Sequence, residues 1–179
     1  EGKFHLILEA TPMTFTRNGV VGDVFERAEK REHHMAVIAD RLRENGGAVL
    51  IVDYGYSKNT SGDTLQAVRK QKFETIFANP GLADLTSHVD FEALVRVANG
   101  VRTFGPTTQR DFLLRLGIEA RATILQQSST LREAQDIQIA FHRLVDKNQM
   151  GELFKVLALS SINTAIPPGF EHLYTRFDD

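Results

Sequence analysis

The chain has 179 residues, 42% hydrophobic and 25% charged, the composition of a globular domain able to bury a real core. Its 21 basic and 23 acidic residues leave a net charge of −2, so bulk charge gives no push toward nucleic acid or anionic membrane. Cysteine is absent, which excludes disulfide scaffolds, thiolate zinc sites and cysteine nucleophiles.

No apolar run reaches the roughly 20 residues of a membrane span, and no signal peptide is visible. The chain opens at Glu1 rather than at a methionine, and directly into the alternating Phe4, Leu6 and Leu8. This reads as a strand over 3–9 and as a cut end. After Pro12 and the Arg17-Asn18-Gly19 turn, Val20 to Phe25 reads as a second short strand. Met35, Ile38 and Leu42 fall at helical spacing and predict a helix from about Ala28 to Glu44, stopped by Asn45-Gly46-Gly47. Ala48 to Val52 is an unbroken aliphatic run that closes on Asp53-Tyr54-Gly55. A run apolar on both faces belongs at the centre of a parallel sheet with helices on both sides. Ligands of such sheets lie beyond the carboxyl ends of the strands.

Tyr56 to Asp63 is rich in serine, asparagine and glycine and reads as a loop, and Thr64 to Phe77 as a helix or a hairpin. Asn79-Pro80-Gly81 is a turn signal. Asp90 is the N-cap of a helix carrying Phe91, Leu94, Val95 and Ala98, with Asn99-Gly100 as its stop. A strand over 101–104 follows. Thr108 with Asp111 opens a helix running through Ile124, and Thr130 with Glu133 opens another. A last strand over 153–159 and an irregular tail from Ile166 complete a mixed α/β order.

The densest chemistry lies between Ala83 and Phe91. In an extended segment Asp84, Thr86, His88 and Asp90 share one side, while Leu85, Val89 and Phe91 share the other. The apolar side can anchor the segment on the core while the polar side faces a cleft. A histidine flanked by carboxylates suits proton transfer, because it titrates nearest neutral pH. The plainer alternative is that Asp90 caps the next helix and the others are solvated. No metal site is expected, since the adjacent His33 and His34 do not share a helical face. A serine hydrolase is a poor fit, since there is no G-x-S-x-G elbow and Ser61-Gly62-Asp63 sits in a loop without that context.

The chain also carries Gly46-Gly47-Ala48-Val49-Leu50-Ile51-Val52-Asp53-Tyr54-Gly55, then Gly62-Asp63-Thr64-Leu65-Gln66-Ala67. Asn79-Pro80-Gly81-x-Ala83-Asp84-Leu85-Thr86-x-His88-Val89-Asp90-Phe91 and Gly105-Pro106-x-Thr108-Gln109-x-x-Phe112-Leu113 follow. Leu116-Gly117-Ile118-Glu119-Ala120-Arg121 and Met150-Gly151-x-Leu153-Phe154-Lys155-Val156-Leu157 close the series. This succession resembles the MidA family of S-adenosylmethionine (SAM)-dependent methyltransferases. That family includes mitochondrial protein arginine methyltransferases that assist assembly of respiratory complex I. The resemblance covers roughly Gly22 to Gly169. It implies that residues 1–179 are the carboxy-terminal portion of one Rossmann-like class I methyltransferase domain, with a mostly parallel sheet flanked by helices. The glycine-rich SAM loop and the acidic ribose-binding strand of the family lie amino-terminal to this segment. Many relatives carry histidine near position 71, where this chain has Gln71.

Methyl transfer from a sulfonium needs alignment and a dry pocket more than acid-base help. An arginine acceptor adds a need for carboxylates, which pair with its planar guanidinium. The resemblance therefore points to Asp84 and Asp53 as residues that hold the acceptor. His88 would orient the cleft or accept the departing proton. Tyr54 and Phe91 would wall the cleft, Glu26, Thr86 and Asp90 would add polar contacts, and Gln109 would lie in a loop beside it. Glu119 and Arg121 are expected as a buried ion pair. SAM is expected to be bound mainly by the part of the protein outside this chain. The partners expected are a protein substrate and a second copy in a homodimer, without nucleic acid or membrane. The setting is bacterial cytoplasm, or the mitochondrial matrix in a eukaryote. The alternative is a non-catalytic protein-binding or assembly module of the same fold.

Overall fold

The computed structural model describes residues 4–7, 20–58 and 61–171. In chain order the elements are α1 (Glu29–Asn45), β1 (Ala48–Tyr56), β2 (Gln66–Arg69), β3 (Lys72–Glu74), β4 (Asp84–Thr86) and β5 (Val89–Asp90). Then come α2 (Phe91–Val97), β6 (Arg102–Thr108), α3 (Gln109–Arg115), α4 (Ile118–Gln127), α5 (Leu131–Val145) and β7 (Phe154–Ser160), with a π turn over Lys147–Gly151. The strand expected over 3–9 lies partly outside the described residues, and 4–7 are irregular. Val20 to Phe25 is a turn and irregular chain instead of a strand. The Asp23 carboxylate accepts from the Val20 amide at 2.9 Å, a local bond that competes with extended pairing.

The described residues form two compact units. One comprises 4–7, 20–27 and 61–88, and the other 28–58 and 89–171.

The larger unit holds a four-stranded sheet in the order β5-β1-β7-β6. β7 is antiparallel to both β1 and β6, while β1 and β5 pair in parallel. β1, β5 and β6 therefore run one way and β7 alone runs the other. Side chains of β7 alternate between two apolar clusters. Leu157 and Leu159 meet Met35, Ala39 and Leu42 of α1 and Phe91 and Leu94 of α2, with Val49 and Ile51 alongside. Val156 and Ala158 meet Phe104, Phe112 and Phe170 on the other side. Each such fully buried side chain contributes about 1.5–3 kcal/mol over leaving it exposed.

β1 departs from expectation. Val49 and Ile51 pack inward, but Leu50 and Val52 are 54% and 45% exposed. Among the described residues, no strand runs beside Ala48 to Tyr54 on the edge away from β7. Cover on both faces belongs to β7 and not to β1.

The helix caps follow from local chemistry. The Asp90 carboxylate accepts from the Ala93 amide at 2.9 Å, and the Thr108 hydroxyl accepts from the Asp111 amide at 3.0 Å. Thr130 and Glu133 form a complete capping box. The single helix expected from Thr108 through Ile124 is instead broken at Gly117, whose φ of 82° and ψ of 32° end α3. α4 buries no residue, and both Glu119 and Arg121 are exposed on it, so the buried ion pair expected there does not form.

The smaller unit is built on the antiparallel sheet β3-β2-β4. Thr64 to Phe77 resolves as a hairpin. Arg69 faces Lys72, leaving a two-residue loop of Lys70 and Gln71 with φ of 50° and 63°. This pair of positive φ values suits the right-handed strand twist, although neither residue is the usual asparagine or glycine. Arg69 Nε donates to Glu74 Oε1 at 2.8 Å and Asn79 Nδ2 to Glu74 Oε2 at 2.6 Å. The Arg69 bond, then the Asn79 bond, holds the Glu74 carboxyl below its ordinary value. An apolar pocket of about 220 Å³ opens between Phe4, Leu6, Leu65, Ile76, Phe77 and Leu85.

Candidate active site

In the smaller unit Glu26, Thr64 and His88 are tied together. The Thr64 amide donates to Glu26 Oε1 at 2.9 Å, and the Thr64 hydroxyl donates to Glu26 Oε2. The same hydroxyl accepts from the His88 amide at 2.9 Å. Glu26 sits on irregular chain, held in part by the Gly62 amide donating to the Val24 carbonyl at 2.8 Å. All three residues are half-buried.

Asp84 and Thr86 lie on β4, opposite Val68 and Gln66 of β2, so these side chains share a face of the small sheet. Asp84 is exposed and Thr86 half-buried. Leu85 was expected on the core side but is 61% exposed, because it lines the apolar pocket and no buried cluster.

The remaining candidates lie in the larger unit. Asp53 closes the inward-facing series Val49, Ile51, Asp53, is half-buried, and accepts from the Tyr54 amide at 2.8 Å through Oδ1. Tyr54 points to the other face, where its ring meets the edge of Phe154 at 5.7 Å. Asp53 and Tyr54 thus do not wall one surface together. A Cβ on Gly55 would stand 2.2 Å from the Val89 carbonyl oxygen and 3.0 Å from the Phe91 ring, so only glycine lets β5 approach β1 here.

Two expectations change with this placement, and the cap expected at Asp90 is found. Phe91 is completely buried between α1, α2 and β7, so it packs the core and cannot wall a cleft. Asp90 uses its carboxylate as the α2 cap. Gln109 is buried, and its amide donates to the Leu144 carbonyl at 2.9 Å, beside Arg110 donating to the Val145 carbonyl at 2.8 Å. Those two side chains satisfy the last carbonyls of α5.

Two polar residues escaped the sequence reading. Thr64 is one, since nothing in local spacing links it to Glu26. Lys155 is the other: it faces Asp53 across β1 and β7, and its ammonium donates to the Glu152 carbonyl. Burial pushes the Lys155 ammonium below its ordinary value, partly offset by the Glu152 carboxylate. A lone lysine inside the apolar run from Leu153 to Leu159 was the available signal. Among the described residues no three of His, Asp or Glu gather as a metal would require.

Among the described residues, the glycine pair Gly46-Gly47 offers no ready SAM cradle. It follows the carboxyl end of α1, where carbonyls and not amides point outward.

The larger unit's reversed strand between co-directed ones, with its flanking helices, has known counterparts. Residues 4–107 match the family described as "Putative S-adenosyl-L-methionine-dependent methyltransferase". The chain belongs to that family of methyltransferases, whose cofactor is SAM. Among individual relatives, the mitochondrial protein arginine methyltransferase NDUFAF7 of Danio rerio is 37% identical over 72% of this chain and 30% of its own length. The Xenopus tropicalis protein of that name is 36% identical over 76% and 33%, and the human one 32% over 88% and 36%. A Burkholderia thailandensis crystal structure with S-adenosyl-homocysteine bound aligns at a TM-score of 0.69 and 26% identity, covering 80% of this chain and 38% of that one. The chain therefore spans about a third of the length of the curated relatives it matches. Among the described residues no helix is long and apolar enough to cross a membrane.

Proposed function

We propose that this chain is the carboxy-terminal portion of a methyltransferase that moves a methyl group from SAM to an arginine side chain of a protein. The remainder of the protein would hold the cofactor. The relatives' arginine methyltransferase names support the acceptor class. The observation that carries the reading is the fixed carboxylate of Glu26, gripped by Thr64 beside His88 in the unit that also presents Asp84.

A guanidinium is always charged, planar and built for bidentate bonds, so a carboxylate of set orientation selects it over a flexible ammonium. Asp84 is an exposed carboxylate on β4, and in this reading it pairs with the acceptor. Glu26 fixes the angle. As the nitrogen would take the methyl group and the carbon–sulfur bond would break, a proton must leave that nitrogen, and the His88 imidazole is the group we assign to receive it. Asp90, Phe91 and Gln109 act as cap, core and helix tie.

In the full-length protein, Asp84→Ala should abolish methyl transfer to an arginine peptide while leaving SAM affinity within about twofold, because the lost bonds belong to the acceptor. Radiolabel transfer and calorimetry read the two quantities. Retained turnover removes Asp84 from the mechanism.

A second reading, a non-catalytic docking module, is favoured by the apolar pocket at Phe4, Leu65 and Phe77. Methylation of any peptide by the full-length protein excludes it.

A further inference from the structure

We propose that Thr64 is a positioning residue of the acceptor site, an assignment that rests on the arginine-methylation reading above. Through amide and hydroxyl it donates to both oxygens of Glu26, and the same hydroxyl accepts from the His88 amide. One short side chain thus joins residues 38 positions before it and 24 after it.

A carboxylate offers about four lone-pair directions. Two bonds from Thr64 fix the plane of Glu26 and leave the outward pair for a guanidinium, which needs two acceptors side by side. No helix or strand holds Glu26, so the orientation of its carboxylate comes from Thr64. The same hydroxyl sets the backbone at His88, the residue placed to take the proton. Thr64 does not touch the acceptor. It decides where two groups that do will stand.

Valine at this position keeps the branched shape and the amide bond to Glu26 but deletes both hydroxyl bonds, whereas serine keeps them. In the full-length protein, Thr64→Val should raise KM for an arginine peptide about tenfold, since a charge-assisted bond is lost, with SAM affinity within about twofold. Thr64→Ser should restore it. In a Glu26→Ala background, Thr64→Val should add less than about twofold, because coupled residues are not additive. Fully additive losses, or a serine variant as impaired as valine, overturn the assignment. A readout independent of turnover separates this from the reading beneath it. The His88 amide should exchange with deuterium about tenfold faster in Thr64→Val, and unchanged exchange overturns the tie itself. Failure of the wild type to methylate any arginine peptide overturns the acceptor reading instead.

Discussion

Asp90 and Phe91 are neighbours with different structural duties. The carboxylate of Asp90 closes the first turn of α2, and the ring of Phe91 vanishes into the core between that helix and β7. Gln109 shows the same pattern, with a polar side chain buried because a helix end needs a donor. Replacing it should therefore harm folding more than binding. Gln109→Leu leaves the Leu144 carbonyl without its donor, at a cost of about 1–3 kcal/mol. Urea unfolding should register that loss, while KM for the acceptor stays within about twofold. A raised KM at unchanged stability would return Gln109 to the site.

At the scale of elements, the hairpin of the smaller unit hangs on one carboxylate. Glu74 receives Arg69 and Asn79, and its folded-state pKa is lowered from the ordinary 4.5. Above that value the carboxylate is charged in both folded and unfolded chains, and the two bonds contribute in full. As pH falls below 4.5 the unfolded chain takes up its proton first, so the contribution fades until the folded-state value is passed. Amide protection in β2 and β3, corrected for the intrinsic exchange rate at each pH, should fall over that acid range, and Glu74→Gln should flatten the dependence. A pH profile identical in the variant would assign the ties to another group.

Elements whose signals are local were legible in the sequence. Asp90, Thr108 and Thr130 each cap a helix through a bond to a residue three positions on, which spacing alone can show. The hairpin was not settled beforehand, because basic and apolar residues from Thr64 to Phe77 follow neither period cleanly. The break at Gly117 was hidden for a related reason, as apolar residues continue across it in helical register. The acidic residues of the site could be listed from the sequence, but the grip of Thr64 on Glu26 spans 38 residues and depends on the folded chain.

For the whole molecule, β1 is the telling strand. Leu50 and Val52 face solvent in this chain, which covers about a third of its relatives' length. In our reading of the parent protein, the rest of the polypeptide packs over them. Leu50→Lys should then change the stability of the 179-residue chain by less than about 0.5 kcal/mol, because the side chain is already wet. In the full-length protein the same change should cost about 3 kcal/mol or more, since the ammonium would be stranded in a dry interface. Parallel urea titrations of the two proteins compare these values, and equal effects would mean that nothing covers the strand.

Among the described residues, a bared rung of backbone donors and acceptors beside leucine and valine is also a template on which another molecule can lay its own strand. Concentrated solutions of the isolated segment should cluster as sheets extend from chain to chain. A positive charge at position 50 or 52, by repelling its copy, would then serve the biochemist as a solubilising change for the isolated segment alone.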